Sequence, residues 1–103
     1  MAQNNSSLKV LTTFEIPDDL AKELSDLLIK QSIRERVLTN LIGDLERYEM
    51  AENMLMQTTS RIEVIKQMIS REYVPEEFRS SQYIWNYSGY DIDGNKAYIV
   101  GSN

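Results

Sequence analysis

The 103-residue sequence contains no cysteine and no histidine. Without cysteine there can be no disulfide, no thiolate nucleophile and no cysteine metal site, a composition that fits a reducing compartment. Without histidine the chain lacks the side chain that titrates nearest neutrality, and with it most acid–base and zinc chemistry. Only two prolines and four glycines are present, and they form neither a Gly-rich phosphate loop nor a nucleophile elbow. No run approaches the ~20 apolar residues of a membrane span. The opening MAQNNSSLKV has neither the basic nor the apolar region of a signal peptide, so a cytoplasmic location is expected. Catalysis would have to rest on carboxylates, Lys, Arg, Tyr or hydroxyls, and no pattern groups these, so a non-enzyme without cofactor or metal is expected. The net charge is −5 and the eleven basic residues are scattered, which disfavours a nucleic-acid partner.

What is present suits one soluble domain spanning residues 1–103. Residues 1–7 are polar and expected to be disordered. In LKVLTTFEI, Leu8, Val10, Thr12, Phe14 and Ile16 alternate to one side, which predicts a strand over 8–16 with Leu11 out of pattern. Pro17, Asp18 and Asp19 supply a helix start. From there Leu24, Leu27, Leu28, Leu38, Leu41, Ile42 and Leu45 recur at helical spacing. Gly43 is a stop and Asp44 a new N-cap. The second stripe runs through Ala51, Met54, Leu55, Thr58, Ile62, Ile65 and Ile69, and ends at Tyr73-Val74-Pro75. Two helices of about 25 residues joined by a tight turn predict an antiparallel hairpin. Two helices alone leave much of each stripe uncovered.

Seven of the nine aromatics fall in the last 31 residues. There, Asp93-Gly94-Asn95 separates two runs rich in Tyr, Ile and Val, which predicts a β-hairpin of strands 85–92 and 96–100. The same DIDGN stretch resembles a calcium loop, but its glycine precedes Asn95 and its twelfth position is Ser102 rather than Glu. The expected fold is therefore α+β, a helical hairpin covered by a small antiparallel sheet. Its core should contain Leu24, Leu28, Leu38, Leu41, Ile62, Ile65, Ile69 and Trp85.

Three features are candidates for binding. Gln31, Arg34 and Glu35 interrupt the first apolar stripe, either as a solvated stretch or as a polar layer that fixes register or receives a partner's charge. Met50, Met54, Met56 and Met68 soften the second helix. Met54 and Met68 are assigned to the core and Met56 to the surface, where a thioether adapts to irregular partners. In the tail, if Trp85 and Tyr98 face the core, Tyr87 and Tyr90 are candidates for the outward set, offering contact area with a polar tip, unless a bulge at Gly89 reverses them.

The order of elements, a leucine-rich helical hairpin followed by Trp85 and a closing segment with Ile92, Tyr98, Ile99 and Val100, resembles a known family over residues 18–100. These are small accessory proteins encoded beside radical-SAM enzymes that modify ribosomally made peptides, the CXXX-repeat peptide modification type. The resemblance implies an auxiliary subunit that binds the modifying enzyme, its precursor peptide, or both. The iron–sulfur cluster and S-adenosylmethionine would belong to the enzyme. A small antagonist, such as a phage-encoded one, and a self-assembling helical dimer are the alternative readings.

Overall fold

Pro17, with φ at −50° and ψ at 138°, turns the chain into helix α1 (Asp18–Asn40), where Asp18 and Asp19 place negative charge at the positive end of the helix dipole. The computed structural model describes residues 8–102. The segment 1–7, expected to be disordered, lies outside the described residues. Helix α1 stops at Asn40, and Gly43 supplies the positive φ (+100°) that the tight turn requires. Asp44 then caps helix α2 (Leu45–Glu72) by accepting from the Arg47 amide at 3.3 Å. Leu45, counted in the first stripe by its spacing, is the first residue of the second helix. α2 ends at Glu72, with Tyr73 as its C-cap two residues before Pro75.

Three strands, β1 (Lys9–Glu15), β2 (Ile84–Asn86) and β3 (Lys96–Gly101), form an antiparallel sheet in the order β1-β3-β2. The fold is α+β, as the residue pattern implies. Leu11, out of step with the alternation, is a β-bulge: Val10 pairs with Val100, but Thr12 pairs with Ile99. The extra residue turns Leu11 toward Gly101 and leaves Leu8 and Val10 exposed, so only the second half of the alternating set reaches the core.

The C-terminal hairpin departs from expectation in register. Ile84, Trp85 and Asn86 pair with Val100, Ile99 and Tyr98. Strand β2 therefore ends at Asn86 rather than Ile92, and residues 90–93 form one helical turn, α3 (Tyr90–Asp93). Gly89 (φ +122°) and Gly94 (φ +60°) bracket that turn, conformations open to glycine and costly for most residues. The Asp-Gly pair does make a turn, but it closes a helical turn instead of joining two strands.

The core unites all layers: Phe14 and Ile16 from the N-terminal strand region, Ala21 and Leu24 from α1, Ile62, Ile65 and Ile69 from α2, then Val74, Ala97 and Ile99. Trp85 is half-buried, stands edge-on to Phe14 at 5.8 Å, and reaches α2. Leu28 is half-buried against this core. Leu38 and Leu41, expected in it, are half-buried between the helices beyond its end, and Met54, also assigned to the core, is exposed. No residue from 26 to 57 is buried. The sheet covers one half of the helical hairpin, and the other half projects past it.

Candidate functional site

The loop between β2 and β3 carries two of the candidate tyrosines, and both are turned inward. The Tyr87 hydroxyl donates to the Gly94 carbonyl at 2.6 Å, with the Ala21 carbonyl at 3.4 Å. Burial, followed by the charge of Asp93, pushes its pKa up to about 12. Tyr90 donates its backbone N–H to the Oγ of buried Ser25 at 2.9 Å and its hydroxyl to Asp18 at 2.6 Å. Lys22 sits 5.3 Å from the Tyr90 ring centroid and pairs with Asp18 at 3.1 Å. The hydrogen bond to Asp18 raises the Tyr90 pKa, and the same bond lowers that of Asp18. Asp93 accepts from the Ser88 amide at 2.8 Å, and Asn95 holds the Ile16 backbone through both its carbonyl and its side chain.

This loop is thus a clasp that fastens the sheet to the start of α1. The outward orientation expected for Tyr87 and Tyr90 is corrected, and the cause is that the strand stops before them. Trp85 pairs with Ile99 and shares its inner face, whereas Tyr98 pairs with Asn86 and Thr13 on the outer face. The chain after Asn86 then leaves the sheet, so alternation no longer decides where Tyr87 and Tyr90 point.

The other candidates lie together on the projecting half of the helical hairpin. Gln31 donates to Thr59 Oγ1 at 3.2 Å. Arg34 donates to the Met54 carbonyl at 3.2 Å and to Thr58 Oγ1, which itself donates to the Met54 carbonyl at 3.0 Å. Gln31 and Arg34 bond across to α2 as a polar layer, while the stretch as a whole lies past the cover of the sheet with no residue buried. It is solvated and bonded between the helices at once. Glu35 is outside that layer, and the bond recorded there is Thr39 Oγ1 donating to the Glu35 backbone carbonyl. At about 100° per residue, Glu35 lies within about 20° of Leu28 and so faces the sheet side.

Beyond that layer the helices enclose an open groove of ≈ 400 Å³ lined by Leu38, Glu52, Leu55, Met56, Thr59 and Ser60. It is on the sheet side, because Met56 lies within about 40° of Ser70, the residue that Trp85 reaches. A second hollow of ≈ 340 Å³ at the tip is lined by Ile42, Gly43, Leu45 and Tyr48. Ile42 is 79% exposed, Leu45 73% and Met56 60%. Ile33, Val37, Met50 and Met54 form a further exposed apolar ridge, which the same rotation places on the opposite side of the hairpin. Residue spacing alone did not single out Glu49 and Glu52, because their place beside the groove depends on how the two helices pair.

The outer face of the sheet offers a smaller apolar row, Val10, Val100 and Ile84. Among the described residues no three carboxylates converge as metal ligands, and no helix is long and apolar enough to cross a membrane. The arrangement offers contact surface: an apolar groove with carboxylates beside it, at the end of a rigid helical pair. No family model matches the sequence, and no curated protein or solved structure is detectably similar to it.

Proposed function

We propose that the chain is a non-catalytic docking subunit that holds a larger protein through the projecting half of its helical hairpin. The observation that carries this reading is the apolar surface left beyond the end of the sheet, with Ile33, Val37, Ile42, Leu45, Met50, Met54 and Met56 all exposed. Apolar surface in water costs about 25 cal/mol per Å² relative to burial, and its concentration at the projecting end, on both sides of the hairpin, suits an interaction site. Three methionines in this set give a surface that adapts to a partner's shape.

The finer reading is that the partner is a peptide-modifying enzyme of the radical-SAM type, together with its ribosomally made precursor peptide. The resemblance in element order supports this. The free edge of β1 also supports it, since the residues from Thr12 to Glu15 can accept an extended peptide as a further strand. The Leu11 bulge limits pairing before Thr12. Enzyme docking would use the helices, and peptide capture the sheet.

Co-expression with the product of an adjacent radical-SAM gene tests this, read by light scattering after size-exclusion chromatography. The expected result is a stoichiometric complex that is lost in Met56→Glu while the helical circular dichroism is unchanged. A complex with an unrelated host protein in its place would favour the antagonist reading, and a stable homodimer alone would favour self-assembly. A monomer that binds no neighbour-encoded protein overturns the proposal.

A further inference from the structure

The groove on the sheet side of the projecting hairpin has a charge pattern that specifies its occupant more closely than its apolar floor does. Its floor is Leu38, Leu55 and Met56. Glu52 lines it directly. Glu49 is seven residues from Met56 and Glu35 seven from Leu28, so both share the sheet-side face within about 20°. None of the three glutamates belongs to an ion pair among the described residues. The nearby cations are directed elsewhere. Arg34 is turned between the helices onto Met54 and Thr58, Lys30 pairs with Asp26, and Arg47 pairs with Asp44. Arg36 projects from the flank of α1, about 80° around from Leu28.

We infer that this groove binds a basic amphipathic helix of the partner protein, its apolar face on Leu38, Leu55 and Met56 and its Lys or Arg residues opposite Glu35, Glu49 and Glu52. The inference rests on the docking function proposed above and names the chemistry of the segment that docks. From Glu52 to Ser60 the groove runs about 12 Å at 1.5 Å per residue, which accommodates roughly two turns of helix. A helix laid in an apolar groove is read through side chains at i, i+3, i+4 and i+7, and methionine at the contact tolerates variation in those anchors. A nonpolar or acidic helix would leave three carboxylates facing low-dielectric or like-charged surface, which the groove disfavours. The Ile33–Val37 and Met50–Met54 ridge on the other side lacks this carboxylate frame.

The test uses the full chain and a fluorescent helical peptide of about 18 residues, with leucine on one face and lysine on the other, measured by anisotropy. A matched peptide with glutamate in place of lysine is the control. The lysine peptide should bind, more weakly as salt rises, and the glutamate peptide should not. The triple variant Glu35→Lys/Glu49→Lys/Glu52→Lys should bind it at least about tenfold more weakly. A triple variant of equal charge change away from the groove, Glu72→Lys/Glu76→Lys/Glu77→Lys, should bind nearly as wild type. Met56→Asp tests the floor and should also weaken binding. Equal loss in both triple variants would show nonspecific charge attraction and overturn the inference, as would equal binding of the two peptides. If the neighbour-encoded partner still binds the Glu35/Glu49/Glu52 triple variant, this groove assignment fails while the docking function stands. Loss of partner binding in Met54→Glu but not in Met56→Asp would place the interface on the opposite ridge.

Discussion

The indole N–H of Trp85 donates to Ser70 Oγ at 2.8 Å, joining the shortest strand of the sheet to the last turns of α2. The contact crosses the seam between sheet and helices, and the same ring stands edge-on to Phe14. Ser70→Ala should cost about 0.5–1.5 kcal/mol by leaving a half-buried donor without its partner. Trp85→Ala should cost about 3–5 kcal/mol, because it removes the ring that closes the sheet over α2. Urea denaturation followed by helical circular dichroism measures both. Equal small losses would mean that the sheet is held by the Tyr87 and Tyr90 clasp rather than by Trp85.

Position along the hairpin governs what a large apolar residue is worth. Ile65 is fully buried among sheet and helix side chains, and Leu41 is half-buried at the end of α1. Ile65→Ala should cost about 2–5 kcal/mol, whereas Leu41→Ala should cost less than about 1 kcal/mol, since a cavity at an open helix end can collapse or fill with water. Parallel denaturation curves give the comparison. A loss at Leu41 as large as that at Ile65 would show that something covers the tip in solution.

The helices were legible because each signal for them is local. Pro17-Asp18-Asp19, Gly43-Asp44 and Tyr73-Val74-Pro75 fix the ends within a few residues, and the stripes through Leu24 and Ile62 fix the buried faces. The sheet was legible only in part. That Leu11 is a bulge depends on its pairing with β3, and that Tyr87 and Tyr90 turn inward depends on where β2 stops. The Asp-Gly signal is compatible with both a two-residue hairpin and a helical turn. Contacts of Tyr87 with Gly94 and Ala21, and of Tyr90 with Ser25, settle the loop, and those partners are up to 66 residues away. Of the candidate site, Gln31, Arg34 and Glu35 could be read from spacing as interruptions of an apolar stripe, and Met56 as an apolar residue on the opposite face of its helix. The groove they border could not, since it exists only where the sheet ends.

The clasp should respond to alkaline pH. Tyr87 has its pKa raised to about 12 in the fold, against 10.0 for a free phenol, and burial is the main cause. A group whose folded pKa is raised contributes stability that is fully present below pH 10 and is lost as pH rises toward 12. Tyr90, raised by its bond to Asp18, acts in the same direction. Wild-type protein should therefore lose stability across that window, and Tyr87→Phe should lose less across it while being weaker by about 0.5–1.5 kcal/mol at neutral pH. Denaturation midpoints taken at a series of alkaline pH values, beside the tyrosinate absorbance titration, check the sign. A steeper alkaline loss in Tyr87→Phe than in wild type would contradict the assignment.

The layer formed by Arg34, Thr58 and Met54 separates the covered half of the hairpin from the projecting half, and its parts should act as a unit. Thr58 is buried at 3% exposure and satisfied through the Met54 carbonyl, so removing Arg34 alone leaves no orphaned group on α2. Thr58→Val, by contrast, leaves the Arg34 guanidinium between the helices with the Met54 carbonyl as its remaining recorded acceptor. The expected order is a small change for Arg34→Leu and a loss of about 1–3 kcal/mol for Thr58→Val. The double replacement should be less destabilised than the sum, because it substitutes an apolar layer for a polar one. The coupling between the two positions should be about 0.5–3 kcal/mol in a double-mutant cycle. If the bonds of Arg34 to the Met54 carbonyl and Thr58 also set the register of the helices at this level, an apolar double variant loses that constraint. That variant should therefore show broadened amide resonances for residues 45–56 in a heteronuclear NMR spectrum while its midpoint stays near wild type. Sharp, wild-type-like resonances there would mean that packing of Leu38 against Leu55 sets the register without help from the polar layer.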